Sequence, residues 1–173
     1  MYLLIIFFII LLVILLTMFN ATFKAAPWVP SGKKNIEKIL ELAEIKKGDV
    51  VYDLGSGDAR WLIALAKKTE ASKIIGYEIS FLPYFISRIK LLFMRKNNIK
   101  ILFKDFFKAD FSKANVILCF LTPMAMKKLE PKLKSELKPK TKFISYAFRL
   151  PNTEFTKKSK VTEKSLPIYL YQY

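Results

Sequence analysis

Two short stretches of this 173-residue chain combine residue types that could bind a charged ligand. The first is DLGSGD, from Asp53 to Asp58, which directly follows an apolar run. Its glycines, Gly55 and Gly57, would let the backbone turn tightly and approach a ligand closely. The second is Glu78, which ends the apolar stretch KIIGYE. An acidic side chain there can accept hydrogen bonds from both hydroxyls of a ribose, so the pattern predicts a ligand that contains a nucleoside.

The charges around the glycines decide between two classes of nucleoside ligand. A dinucleotide places its pyrophosphate at a helix N-terminus, and its GxGxxG pattern would need a third glycine where this chain has Arg60. Two carboxylates beside the turn would repel a pyrophosphate but attract the ammonium and sulfonium groups of S-adenosylmethionine (SAM). An alternative for Asp58 is that it only caps the following helix. We therefore predict SAM contacts from Asp53, Gly55, Ser56, Gly57, Asp58 and Glu78.

A further pair of candidate residues, Asp105 and Phe106, follows the third apolar run. A carboxylate in that place can reach the amino group of adenine, and an aromatic ring can stack on the base. The alternative is a turn aspartate beside a core phenylalanine. The chain has no histidine, and its one cysteine is Cys119. These counts exclude an intrachain disulfide, a Ser-His-Asp or Cys-His catalytic unit and a His-ligated metal, so no metal site is predicted.

From residue 49 onward, strand-like apolar runs alternate with helical patterns, which predicts an α/β domain with a parallel sheet and helices on both faces. With the glycine loop, this is the Rossmann-like sheet of class I methyltransferases. The last stretch, VTEKSLPIYLYQY, predicts one or two added antiparallel strands. The predicted strands are VVYDL, KIIGYE, IKILF, NVILCFL and KFISYAF, and the predicted helices are 33–43 (capped by Ser31), 60–68, 82–97 and 124–137.

The chain opens with an apolar segment, residues 1–23, that contains no charged side chain. At about 1.5 Å per residue it is long enough to cross a membrane as a helix. A signal peptide would begin with basic residues, which are absent here. We predict a single-pass anchor at 1–23, a juxtamembrane linker at 24–32 and the SAM-binding domain at 33–173. Lysines 24, 33 and 34 place that domain on the cytoplasmic side by the positive-inside rule.

The net charge of +16 could also indicate a nucleic-acid or anionic-lipid partner. Most of the 30 basic residues are lysines, which is typical of a solvated surface rather than of a phosphate-reading one. We therefore do not expect nucleic acid as a partner. The only arginines are Arg60, Arg88, Arg95 and Arg149.

Several stretches together resemble one enzyme family in order and spacing: DLGSGDAR (53–60), GYEIS (76–80), SR (87–88), KDFF (104–107) and FLTPMAMKKLEPKLKSEL (120–137). The chain is similar to the small membrane-anchored protein-lysine N-methyltransferases, which include the mitochondrial enzymes that modify the c-ring protein of ATP synthase and the adenine nucleotide translocase. The family usually has glycine where this chain has Ala59. The resemblance implies SAM as cofactor and a protein lysine, possibly in a membrane protein, as methyl acceptor.

The resemblance also implies where the acceptor binds. Thr122 and Pro123 follow the fourth strand, where N-methyltransferases orient the acceptor, so we predict that role for both. An apolar pocket would lower the pKa of a lysine and so help it to lose its proton. Such a pocket could be lined by Phe106, Phe120, Tyr146 and Phe148, although core packing explains each of them equally well.

Three functions remain open from the sequence. The chain could be a protein-lysine methyltransferase at the membrane surface, which the resemblance favours. It could methylate a lipid, a quinone, another small molecule or RNA. It could also be a SAM-binding membrane protein without catalytic activity.

Overall fold

The computed structural model describes residues 2–24 and 32–173. An N-terminal helix, α1 (Tyr2–Lys24), precedes an α/β domain. Of the predicted linker, only residues 24 and 32 are described, and the predicted cap Ser31 lies outside the described residues. Helix α2 (Lys33–Ala43) begins after Gly32, which makes no side-chain capping bond.

A seven-stranded sheet with the order β3-β2-β1-β4-β5-β7-β6 forms the centre of the domain. Strands β1 to β5 are parallel to one another, β7 runs antiparallel to β5, and β6 runs antiparallel to β7. The Rossmann-like sheet predicted from the sequence is therefore confirmed. The strands are β1 (Val50–Leu54), β2 (Lys73–Glu78), β3 (Ile99–Phe103), β4 (Val116–Cys119), β5 (Lys142–Tyr146), β6 (Lys157–Ser159) and β7 (Ile168–Gln172).

Helices cover both faces of this sheet, which explains why the central strands are apolar at successive positions. Strand β4, for example, is buried along its whole length. On one face, α2, α3 (Arg60–Lys68) and α4 (Phe81–Leu92) pack around a core that includes Ile39, Leu62 and Ile74. On the other face, α5 (Pro123–Glu136) and a short 3-10 helix (Phe106–Lys108) pack around Phe111, Met126 and Phe143.

Two elements differ from their predicted bounds. Helix α4 was expected to reach Asn97 but ends at Leu92. The reason is that Asn98 is held at the start of β2, where its side-chain amide donates to the Ala71 carbonyl (2.8 Å) and its own carbonyl accepts from Ile74 N (2.8 Å). The chain needs the residues before Asn98 to return from the helix. At the C-terminus, β7 lies in the predicted stretch, whereas β6 precedes it.

Helix α1 is long and apolar enough to cross a membrane, by length and composition alone. None of the side chains in its Tyr2–Phe19 window is buried by the rest of the protein. Its contact with the domain lies near its C-terminal end, where Thr17 Oγ1 accepts a hydrogen bond from Phe81 N at the start of α4 (3.3 Å). The helix therefore has no place in the core of the α/β domain.

Candidate cofactor and acceptor site

The loop after β1 depends on backbone conformations that favour glycine. Gly55 and Gly57 have φ angles of 78° and 53°. Only residues without a Cβ adopt these angles readily. Ala59 also has a positive φ of 65°, and there a side chain costs roughly 1–2 kcal/mol. The glycine that the family usually carries at this position would avoid that strain.

Gly76, in the middle of β2, makes room for the loop. A Cβ added there would lie 2.6 Å from Ser56 Oγ and 2.5 Å from Leu62 Cδ1, which is too close for either atom. The Ser56 side chain therefore occupies the space that a larger residue at position 76 would fill. Its hydroxyl oxygen is buried and has no hydrogen-bond partner among the described residues. A buried hydroxyl without a partner is costly, which marks this point as one where a ligand could supply the partner.

Glu78 fixes the loop to the end of β2. Its Oε2 accepts a hydrogen bond from Gly57 N (2.8 Å), and its Oε1 accepts from Ile79 N (2.8 Å) and Ser80 N (2.7 Å). A carboxylate offers about four lone-pair positions, so these bonds leave about one free, on Oε2. The predicted contact with both ribose hydroxyls would need one of the backbone donors to move. Glu78 is thus a structural residue of the loop as well as a candidate ligand.

Asp53 lies next to Glu78 at the carboxyl ends of the central strands and is only 3% exposed. Burial, followed by the negative charge of Glu78, raises the pKa of Asp53 to about 8. A buried carboxyl in this state is stabilised when a cation approaches it. The site therefore presents a group suited to the ammonium of SAM, as the sequence predicted.

Asp58 has partners within the protein. Its carboxylate pairs with Arg60 Nε (2.9 Å) and with Lys90 Nζ from α4. Burial alone raises the pKa of Asp58, but the hydrogen bonds and positive charges of Arg60 and Lys90 outweigh burial and lower it to about 2. The residue at the N-cap of α3 is Ala59, and no side chain caps this helix. Two cations thus compensate the charge of Asp58, and its predicted contact with SAM stays a prediction.

The structure places Asp105 and Phe106 after β3, as expected, but gives each a structural contact. Asp105 Oδ1 accepts a hydrogen bond from Phe107 N (3.0 Å) and so caps the 3-10 helix. Phe106 is 3% exposed and belongs to the core, where its ring lies 4.4 Å from that of Phe107, centre to centre. These contacts favour the core alternative for Phe106. The contacts of both residues with adenine stay predictions.

On the acceptor side, the loop after β4 brings an aromatic pair close to Thr122 and Pro123. The rings of Phe120 and Tyr146 meet edge to face with centres 4.8 Å apart, and the Tyr146 hydroxyl accepts a hydrogen bond from Asn35 Nδ2 (2.7 Å). Thr122 is the N-cap of α5, where its side chain accepts from Ala125 N (3.4 Å), and Pro123 starts the helix. Both predicted acceptor residues thus begin a helix whose first turn points toward the edge of the sheet that holds the cofactor loop.

One buried acid near the acceptor side was not predicted from the sequence. Glu130 of α5 is 3% exposed and accepts hydrogen bonds from Asn152 N (3.0 Å), Asn152 Nδ2 (3.1 Å) and the Thr153 hydroxyl. It thereby fixes the loop after β5, whose residues 149–155 line an open cleft of about 470 Å³. Its position in the LEPKLKSEL stretch gave no sign that its partners lie in a distant loop.

A family model for the ANTKMT methyltransferase domain matches residues 53–157, which include the whole loop, Glu78 and the helix after β4. The chain belongs to this family. A protein-lysine N-methyltransferase of Saccharolobus islandicus is 35% identical over 153 residues, which cover 84% of this chain and 92% of that relative. A Homo sapiens enzyme, the lysine N-methyltransferase of the ATP synthase c-ring protein, is 32% identical over 129 residues.

The match to the human relative covers 73% of this chain but 53% of the relative, so the chain spans about half of that protein. Among solved structures, an RNA methyltransferase from Salinibacter ruber in complex with S-adenosyl-L-homocysteine is 30% identical, with a TM-score of 0.78. It covers 83% of this chain and 93% of its own. The resemblance to protein-lysine methyltransferases that the sequence indicated is confirmed, and this methyltransferase uses SAM.

The geometry of the loop fits that cofactor. The unpartnered Ser56 hydroxyl and the buried Asp53 carboxyl offer polar groups where a ligand with hydroxyls and an ammonium would need them. The space that Gly76 leaves is already filled by Ser56, so position 76 supports the loop from beneath.

Proposed function

We propose that this methyltransferase transfers a methyl group from SAM to a lysine side chain of a membrane-associated protein. The observation that carries the proposal is the combination of a domain of the lysine-methylating family with an exposed apolar helix of membrane-spanning length. A soluble enzyme would gain nothing from exposing this helix to water, because its apolar surface is stabilised by leaving water.

On the cofactor side, Asp53 would bind the ammonium group, Ser56 and the loop backbone would contact the methionine part, and Glu78 would bind the ribose. Asp105 and Phe106 would contact the adenine. When bound, SAM supplies an electrophilic methyl group on a sulfonium. The contribution of the protein is then to align the two reactants and to exclude water from between them.

On the acceptor side, Thr122 and Pro123 would orient the incoming lysine, and Phe120 and Tyr146 would form part of its surroundings. A lysine has a reference pKa of about 10.4 and must be neutral to attack. Apolar surroundings disfavour its charged form and lower that pKa. The aromatic pair would therefore promote loss of the proton without a dedicated base.

The acceptor class can be tested by incubating the full-length protein and tritiated SAM with membranes and separating protein, lipid and RNA. We expect tritium in a protein band, in a form that survives acid hydrolysis as methyl-lysine. A matched Asp53→Ala protein should give no label. Label in the lipid fraction would contradict the proposal.

RNA is a second candidate acceptor because the solved structure at 30% identity is named an RNA methyltransferase. The lysine-rich composition and the membrane helix argue against it. Tritium in the RNA fraction that disappears after ribonuclease treatment would decide for RNA.

The anchor and its orientation are the second part of the proposal. Residues 1–23 would span the bilayer with the domain on the cytoplasmic side, since lysines 24, 33 and 34 follow the apolar segment. Tethering would raise the effective concentration of acceptors in the membrane. Deleting residues 1–23 should leave the SAM dissociation constant unchanged and reduce methylation of a vesicle-bound acceptor, while a soluble lysine peptide is methylated as before. Equal loss on both acceptors would show that the helix supports the fold instead.

A further inference from the structure

An apolar stripe runs along α4 on the side turned away from the core. Phe81, Phe85, Ile89 and Leu92 recur every three or four residues and are all exposed, and Phe93 follows at the helix end. Leu92 is 77% exposed and Phe93 is 84% exposed. We call these five residues the α4 stripe. A soluble helix normally turns such a stripe toward the core, so an exposed one indicates a partner surface.

The neighbouring edge strand extends this surface. Phe103, the last residue of β3, is 51% exposed, and its ring lies 6.4 Å from that of Phe81, centre to centre. The β3 strand is at the edge of the sheet, beyond which no described strand follows. The apolar surface therefore spans a helix and a strand rather than one isolated side chain.

The charge around the stripe has a single sign. Between Glu78 and Asp105 the chain contains no acidic residue. Apolar residues flanked by lysine and arginine are typical of helices that lie in the interface of an anionic bilayer. The basic residues of this segment are Arg88, Lys90, Arg95, Lys96, Lys100 and Lys104, of which Lys90 pairs with Asp58.

The position of α4 relative to α1 agrees with such a location. Phe81 N donates a hydrogen bond to Thr17 Oγ1 (3.3 Å), and Thr17 is near the end of the apolar Tyr2–Phe19 window. At about 1.5 Å of rise per residue, Thr17 lies roughly 3 Å from that end. The first turn of α4 is thus at the level where α1 would leave the hydrocarbon.

We propose that the α4 stripe lies in the interface of an anionic bilayer beside α1. This inference rests on the proposed membrane anchor and deepens it. Glu78 and Ser80 directly precede α4, so the docked helix would hold the cofactor loop at a fixed orientation to the membrane surface. The enzyme would then reach lysines that emerge close to the headgroups.

The test is the depth of a spin label in the full-length protein, reconstituted into vesicles of phosphatidylcholine and phosphatidylglycerol. Leu92→Cys carries the label, and Ser135→Cys, exposed on α5 across the sheet, is the matched control. The native Cys119 is buried and so is shielded from the reagent. We expect a severalfold higher ratio of oxygen to nickel-chelate collisions at 92 than at 135, and a smaller difference in vesicles of phosphatidylcholine alone.

Equal ratios at the two positions would overturn the proposal, as would a ratio that rises only at high protein-to-lipid ratio, which would indicate a second copy of the chain. Protection of position 92 by added RNA but not by vesicles would also overturn it and assign the stripe to nucleic acid. Alkaline extraction of the same vesicles tests the anchor separately. A released chain with an embedded label would contradict the anchor alone, and a retained chain with a water-exposed label would contradict the α4 proposal alone.

Discussion

The carboxyl edge of the sheet has two halves that recognise their ligands by different means. The half formed by β1 and β2 is polar and fixed, because backbone N–H groups hold the Glu78 carboxylate and Gly76 lets the loop pack closely. The half formed by β4 and β5 is mainly aromatic, with Phe120 against Tyr146. A cofactor that never changes can be met by a rigid polar loop, whereas an acceptor is selected by side chains that can be exchanged without disturbing that loop.

The largest effect should follow removal of Glu78, since it serves both the fold and the cofactor. In Glu78→Ala, three backbone donors lose their acceptor and the ribose loses its partner. We expect SAM binding to weaken by about 1.5–3 kcal/mol, the scale of hydrogen bonds to a charged group. Calorimetry and urea unfolding should both detect the change, and the exposed Glu70→Ala should alter neither. Unchanged SAM affinity in Glu78→Ala would remove this residue from the site.

A methyl group beneath the loop should separate support of the cofactor from contact with it. In Gly76→Ala, the new Cβ would lie 2.5 Å from Leu62 Cδ1 and 2.6 Å from Ser56 Oγ. Overpacking of this kind costs about 1–3 kcal/mol of stability. The SAM affinity should fall as well, because Ser56 has to move. Gly32→Ala, whose Cβ would meet its nearest atom at 3.7 Å, is the control. Wild-type SAM affinity in Gly76→Ala would show that the loop is adaptable.

The raised pKa of Asp53 makes the cofactor half sensitive to pH. Without ligand, the carboxyl is protonated up to about pH 8, so its stabilising effect on the folded state is lost as the pH rises from about 4 to about 8. Binding of a cation requires the ionised form, so SAM affinity should rise with pH below about 8, by up to about tenfold per unit.

The matched measurement compares Asp53→Asn with Asp49→Asn, which lies at the opposite end of the same strand. The cofactor titrates alike in all three proteins, so a difference in slope belongs to Asp53. We expect the slope to flatten only in Asp53→Asn. The same slope in that variant and in wild type would place the cofactor amine elsewhere.

The smallest effect should come from the acceptor half. Thr122→Ala removes the cap of α5 and should cost about 1 kcal/mol of stability. It should lower kcat/KM for the acceptor while leaving the SAM dissociation constant unchanged, and Thr122→Ser should restore both the cap and the turnover. A changed SAM affinity in Thr122→Ala would mean that the two halves are not separate.

The same contrast explains what could be predicted from the sequence. The cofactor loop was predicted residue by residue, because glycine at positive φ and acids after apolar strands leave local patterns. Gly76 and Glu130 were missed, since their importance comes from Ser56 in the adjacent loop and from Asn152 in a distant one. The ion pairs of Asp58 were missed for the same reason, as Lys90 lies on another helix. The end of α4 depends on Asn98, whose partners are in β2 and just before it.

The acceptor half was predicted only through the family resemblance, because a threonine and a proline that start a helix carry no chemical pattern of their own. The alternating strands and helices, in contrast, follow from burial on both faces of the sheet and were found almost at their observed bounds. The α4 stripe was absent from the sequence prediction, since a helical apolar pattern does not say which side of the helix meets the core.

The most direct test of the central claim is to identify the methylated atom. Membranes incubated with the full-length protein and SAM would be digested and analysed by mass spectrometry, with Asp53→Ala as the matched inactive protein. The account predicts a methyl group on the Nζ atom of a lysine in a membrane-associated protein, present with the wild type and absent with the variant. Methylation of RNA, of a lipid or of a small molecule, with no methylated lysine, would contradict it.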